Sequence, residues 1–205
     1  MNVPICGINA GHLGFLTGID LNDDIATNIK KILDGQYNID KRVLLDVEVV
    51  KPDGKVIYKD VAINEAQSLS SDLNNMSHFD IYIEEKKNFL YEFASCGFLI
   101  STPTGSTGFS FSAGGPIVSP KAECVVLQAL YPHAFYQRAF VIEDSKTIFV
   151  VISDYNQSLY IDGQKLISLE KNDTIKISKS EKKVLFVELA DDVFFKNLTK
   201  KIRSI

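Results

Sequence analysis

From about residue 42 onward the chain is cut into short β-prone runs roughly ten residues apart, and this spacing limits the fold more than any other feature. Residues 43–50 and 56–63 are rich in Val, Ile and Tyr and flank Pro52-Asp-Gly-Lys55, a strong turn signal. Residues 79–84 and 89–93 flank Glu85-Lys-Lys-Asn88 in the same way. Further strands are expected at 98–102, 124–130, 139–143, 147–153, 158–162, 174–178 and 184–189. Strands so short and so regularly punctuated can bury a core only by folding onto one another. The expectation is a sandwich-like β domain over residues 42–190.

The first 41 residues read differently. Val3-Pro-Ile-Cys-Gly-Ile8 is a short apolar run of the kind found in a buried parallel strand. Such a strand needs a neighbour, and we expect further chain upstream of it. A Gly-punctuated stretch follows, then a helix capped by Asn22, with Asp23 and Asp24 at its positive end and Lys30 and Lys31 at its negative end. Ile25, Ile29, Ile32 and Leu33 form its apolar stripe and Gly35 stops it. Strand, turn and helix together resemble the tail of an α/β unit. A last helix is expected from 191 to about 202, with Phe194, Phe195, Leu198 and Ile202 on one side and lysines on the other.

Bulk properties exclude several classes. The 205 residues are 45% hydrophobic and 23% charged, so an ordinary core is within reach without disulfides. A net charge of −4, with lysines spread singly or in pairs, argues against nucleic acid and against an anionic membrane surface as partners. No window approaches the ~20 apolar residues of a membrane span, and the first residues do not form a signal peptide. Cys6, Cys96 and Cys124 are odd in number and widely spaced, which fits reduced thiols in a cytoplasmic protein better than disulfides or zinc.

The densest polar, Gly-rich segment runs from Ser101 to Pro116 and contains Thr102-Pro-Thr-Gly-Ser-Thr-Gly-Phe109. Glycine lets a ligand approach the main chain, and Ser and Thr supply donors and acceptors for a sugar, a phosphate or a base edge. The segment is no P-loop, since no Gly-Lys-Ser/Thr ends it, and the chain has no Gly-x-Gly-x-x-Gly. A long Ser/Gly turn would have the same composition. Asn64-Glu65 presents the same choice. An amide beside a carboxylate suits a ribose diol and an adenine edge, and it also suits a turn after a strand.

Several blocks, taken in order, resolve this choice. Gly7-Ile-Asn-Ala-Gly-His-Leu-Gly-Phe-Leu16, Asn64-Glu65, Thr102-Pro-Thr-Gly-Ser-Thr107, Ser112-Ala-Gly-Gly-Pro-Ile117, Pro132-His133 with Arg138, and Asp162-Gly-Gln164 resemble the NAD kinase family in sequence and spacing. The resemblance implies an α+β fold: a β-rich, sandwich-like C-terminal domain over 42–190, preceded by the remnant of an N-terminal α/β domain over 1–41. The helix over 191–205 would return to that α/β domain. It implies phosphorylation of the adenosine 2′-hydroxyl of NAD, giving NADP, at the expense of ATP or polyphosphate with a divalent metal such as Mg. No bound prosthetic group is implied. Partners would be NAD or NADP, ATP, and further copies of the chain in a dimer or tetramer.

Carried over by position, Asn64 and Glu65 would hold the adenosine half of the dinucleotide. The hydroxyls of Thr104 and Thr107 would reach the adenine, with Gly108, Phe109 and Ser112 lining the same pocket. Tyr131 would sit near the nicotinamide end and contribute backbone, and Gln164 would add a further contact. His133 is set aside as structural.

The sequence also departs from the family's pattern. No Gly-Gly-Asp occurs in it, so the Gly-Gly-Asp-Gly-Thr loop that carries the family's catalytic aspartate has no counterpart, and neither a catalytic residue nor a metal ligand is assigned. Cys96 stands where the family has an aspartate before glycine, and Gly108-Phe109 where it has Ala-Tyr. Two functions follow as expectations: a kinase whose catalytic loop is lacking here, or an inactive truncated paralogue that binds or senses adenine dinucleotides or serves as a partner subunit.

Overall fold

A computed structural model describes residues 3–10, 14–70, 72, 74–86, 88–134, 137–154, 157–190 and 193–203. In chain order the elements are β1 (Ile8–Asn9), β2 (Ile19–Asp20), α1 (Ile25–Leu33), β3 (Asn38–Val50), β4 (Val56–Ala62), β5 (Glu65–Ser70), β6 (Ser77–Ile83) and β7 (Phe89–Ser101). A 3-10 turn (Gly105–Thr107) and α2 (Phe109–Ser112) follow. The chain continues through β8 (Cys124–Pro132), β9 (Phe140–Glu143), β10 (Ile148–Ile152), β11 (Gln157–Ile161), β12 (Gln164–Leu169), β13 (Thr174–Glu188) and α3 (Val193–Arg203). They form two compact units, Met1–Arg42 with Lys183–Ile205, and Val43–Lys182. The end of β13 therefore belongs with the C-terminal helix, eight residues earlier than the expected boundary at 191.

Among the described residues eleven strands join one sheet in the order β12-β11-β5-β7-β6-β10-β13-β3-β4, with β8 paired to β7 and β9 to β8. The long strand β7 organises the larger unit. It pairs antiparallel with β6 over Phe89–Ser95, with β5 over Gly97–Ser101, and with β8 from Ser95 to Ser101. The expected strands at 89–93 and 98–102 are thus halves of one element. The small residues Ala94, Ser95, Cys96 and Gly97 break the apolar pattern without breaking the strand, because partners on both edges satisfy the backbone there. Residues 174–178 and 184–189 merge into β13 in the same way, through exposed charged residues. β5 and β12 are additional to the expected set. In β5, Glu65-Ala-Gln-Ser-Leu-Ser70 has no apolar alternation, since its polar side chains are themselves buried.

The core lies where one face of this sheet turns inward. Phe79, Ile81, Phe98, Ile100, Val150, Leu159 and Ile175 are fully buried. Phe79 packs its ring against Phe93 and Phe98 at centroid distances of 5.4 and 5.3 Å, the second pair edge-on.

In the smaller unit, Ile8–Asn9 pairs parallel with Ile19–Asp20, and Ile5 bridges Phe186 in parallel. The parallel pairing matches expectation and the burial does not, since Val3, Ile5 and Ile8 are 65, 51 and 44% exposed. Helix α1 is capped by Asp24, not Asn22: Asp24 Oδ1 accepts from the Thr27 N–H at 3.1 Å, and its Oδ2 accepts from the Thr27 hydroxyl at 2.6 Å. Asp23 instead accepts from the Asp20 N–H at 2.8 Å, so the chain is still turning one residue after Asn22. Gly35 follows the helix with a left-handed φ of 72°, the conformation that ends helices. In α3 the buried Phe194 meets Phe15 at 5.9 Å, while Phe195 is exposed. The rings of Phe194 and Phe195 nevertheless meet edge-on at a centroid distance of 5.2 Å. The side chain of Ile202 lies outside the described residues.

Replacing Phe79 by Ala removes a fully buried ring and leaves its cavity. The chain should lose roughly 3–5 kcal/mol of stability, read as a fall in the urea midpoint at unchanged slope.

Candidate functional site

The site begins with a turn. β11 and β12 are joined by Asp162 and Gly163, whose φ angles of 48° and 80° are both positive, closing a two-residue hairpin on the Ile161–Gln164 pair. Asp and Gly tolerate this geometry, which also turns the Asp162 side chain back toward the chain entering β5. Its Oδ2 accepts from the Ile63 N–H at 2.9 Å, and its Oδ1 accepts from the N–H groups of Asn64 at 2.7 Å and Glu65 at 3.2 Å. The Asp162 N–H in turn donates to the Glu65 carbonyl at 3.0 Å. One carboxylate therefore sets three consecutive peptide groups.

The Gly/Ser segment docks onto the same three residues. The Thr102 hydroxyl donates to the Ile63 carbonyl at 2.6 Å and accepts from the Gly105 N–H at 3.1 Å. The Thr102 N–H donates to the Asn64 carbonyl at 2.8 Å. Gly105 lies so close to the Asn64 backbone that a Cβ would collide with its carbonyl oxygen, so only glycine fits there. Ser106 stitches the segment to its own exit, donating to the Pro103 carbonyl at 2.7 Å and accepting from the Val118 N–H at 3.0 Å. Gln128 on β8 holds the following turn. It accepts from the Ser110 hydroxyl at 2.9 Å and donates to the Ala113 carbonyl at 3.2 Å.

Under this segment the sheet presents a polar face. Glu65 lies directly across from Ser101, and Gln67 across from Leu99, which is in turn across from Gln128. Glu65 Oε2, Gln67 Oε1 and Ser101 Oγ are buried without a hydrogen-bond partner. A Cβ on Gly108 would sit 3.9 Å from Glu65 Oε2, which places that oxygen beneath Gly108. Burial and the negative charge of Asp162 push the Glu65 carboxyl up to about 7.

The positions singled out in the sequence are distributed as follows. Glu65, Thr104 and Thr107 are buried, and Thr107 donates its hydroxyl proton to the Thr104 carbonyl at 3.2 Å, leaving its lone pairs for a donor. Asn64 is half-buried and its backbone anchors Thr102. Phe109, Ser112 and Tyr131 line one cleft of about 370 Å³ together with Ala129, Leu130 and Pro132. Tyr131 is 72% exposed with φ 51°, a strained backbone at the mouth of that cleft. Gln164 is exposed, two residues beyond Asp162. Cys96 is buried within β7. Sequence reasoning missed Asp162 as the organiser, together with Gln67, Ser101 and Gln128. Asp-Gly at a two-residue hairpin was a readable signal for the first; the others sit in strands whose polar faces mimic loops. Among the described residues no group of three or more His, Cys, Asp or Glu forms a metal site, and no helix is long and apolar enough to cross a membrane.

Since the Glu65 carboxyl rises from 4.5 to about 7 on folding, the stabilisation carried by its neutral form is complete below pH 4.5 and is lost as pH climbs through 7. Glu65→Gln should therefore gain stability over the parent between those limits, by up to roughly 3 kcal/mol at pH 8. Thermal melts of both chains at pH 4.5 and pH 8 read this difference.

Residues 63–189 match the family model described as the ATP-NAD kinase C-terminal domain. The NAD kinase of Thermoanaerobacter sp. is 35% identical over 201 residues, covering 97% of this chain and 70% of that protein. The NAD kinase of Buchnera aphidicola is 37% identical over 205 residues, covering 98% and 68%. Among solved structures, an NAD kinase from Archaeoglobus fulgidus in complex with ATP superposes with a TM-score of 0.80 at 30% identity, covering 98% of this chain and 74% of that one. Yeast NADH kinase complexed with NADH shares the fold, with a TM-score of 0.89 at 21% identity over 97% of this chain and 59% of that one.

Proposed function

The chain belongs to the NAD kinase family, and from that premise we propose that its larger unit binds an adenine dinucleotide as the phosphoryl acceptor. Its contacts are Asn64, Glu65, Thr104, Thr107, Gly108, Phe109, Ser112, Tyr131 and Gln164. The observation that carries this reading is the Glu65 carboxyl, buried beneath Gly108 with Oε2 unpaired. A buried acceptor without a donor costs about 1–3 kcal/mol, and a ribose diol supplies donors of the right kind. The Asn64 amide, beside it on the same Asp162-held turn, suits a base edge, and Phe109 offers a ring for an apolar face.

In this reading the chain's residues bind and orient the acceptor. Transfer to a 2′-hydroxyl also needs the incoming phosphates held and neutralised and the hydroxyl deprotonated. ATP with a divalent metal such as Mg is the donor this family reading implies. The described residues hold no cluster fitting a resident metal, and no step is assigned to one. Within the sequence, Cys96 in place of the family's aspartate and Gly108-Phe109 in place of its Ala-Tyr favour a second reading, a dinucleotide-binding paralogue that senses NAD(H) or NADP(H) or works as a partner subunit. A homo-oligomer that completes each site belongs to both readings.

Calorimetric titration with NAD and with NADP tests the site. Saturable heat is expected from at least one, and silence from both at millimolar ligand refutes it. Asn64→Ala should weaken binding about tenfold, the loss of one to two hydrogen bonds, and an unchanged Kd would refute its place.

A further inference from the structure

Three buried oxygens, Glu65 Oε2, Gln67 Oε1 and Ser101 Oγ, lie on one face of β5 and β7 without a hydrogen-bond partner among the described residues. The amide oxygen of Gln67 is an acceptor only, and the carboxyl oxygen of Glu65 is one unless it carries a proton. Among the described residues, what faces Glu65 offers no positive charge. Across β7 it meets Ser101. Above it the segment from Thr102 to Ser112 contains no titratable residue. From β11 it meets Asp162, itself a carboxylate, with Tyr160 two residues back and across from Gln67. A bare carboxylate at 5% exposure, beside a second one and under a neutral cap, is an unfavourable state of the empty site.

We propose that Glu65 is a neutral acid in the empty site and an anion in the filled one, so that a dinucleotide entering a protonated site expels that proton to solvent. The inference rests on the reading that this pocket takes the hydroxyl-bearing adenosine half of a dinucleotide. A ribose hydroxyl brought to Oε2 donates a hydrogen bond that only the ionised oxygen accepts at full strength. The O–H bond of the acid breaks, its proton passes to buffer, and the ligand's own O–H takes the vacated position. The burial and the Asp162 charge that hold the empty carboxyl near 7 place this exchange at neutrality. Binding therefore tightens as pH rises toward 8 and weakens as it falls toward 6. The pinned peptides of Ile63–Glu65 fix the stretch of backbone from which the carboxyl projects.

The test is calorimetry of NAD binding at pH 6, 7 and 8 in two buffers of different ionisation heat, on the full chain and on Glu65→Gln. NAD is the probe because it lacks the 2′-phosphate that would titrate in this range. The parent chain should bind about tenfold more weakly at pH 6 than at pH 8 and release about half a proton at pH 7. Glu65→Gln should lose both effects, while any imidazole contribution would remain in it. Binding with a pH-independent Kd and no proton release overturns the proposal alone, as does a pH profile that survives in the variant. Absence of heat with NAD at every pH overturns the dinucleotide reading and the proposal with it. An infrared titration of the ligand-free chain supplies a readout that needs neither ligand nor binding by the variant. The carboxylic-acid carbonyl band missing from Glu65→Gln should fade around pH 7, and its disappearance by about pH 5.5 would overturn the proposal.

Discussion

Everything at the site depends on one carboxylate. Asp162 is carried into position by a two-residue hairpin and receives the N–H groups of Ile63, Asn64 and Glu65. This ties the turn between β11 and β12 to the crossing from β4 into β5, nearly a hundred residues earlier. The Thr102 hydroxyl and the bare α-carbon of Gly105 then lock the Gly/Ser segment onto the same crossing. Without the carboxylate, three peptide groups at the sheet rim would face solvent, and the segment above them would lose its floor.

The same interaction has an electrostatic consequence. Holding the peptide of Glu65 beside Asp162 forces its side chain into the sheet's polar face, where water is excluded and the nearest charge is of like sign. The fold bears that cost in the empty protein. Such an arrangement is unfavourable for stability and suited to binding, because a ligand with donors relieves it. Gln67 and Ser101 deepen the pattern, since they add buried oxygens in the same patch with no partner among the described residues.

How much of this was legible beforehand varies with the physics. The strong apolar runs at 43–50, 124–130 and 147–153 announce strands because half of each side-chain set must be buried. The strand β5 stays hidden because Glu65, Gln67, Ser68 and Ser70 are buried polar groups, and alternation by hydrophobicity cannot register them. The cap of α1 lies two residues beyond the expected Asn22, since Asn22, Asp23 and Asp24 are all competent and only the backbone path selects Asp24. Asn64, Glu65 and the Thr102 segment were marked as a site by their order among family motifs, with no view of what supports them.

The order of residues along the chain carries the family and the β-rich character of residues 42–190. These are local properties: propensity, turn chemistry and motif order are written in neighbouring residues. Only the tertiary structure decided that Asp162 organises the site, that Phe109, Ser112 and Tyr131 share one cleft, and that Glu65 is held near neutrality. Those depend on distances between residues far apart in the chain and on the exclusion of water between them, and neither exists until the strands have paired.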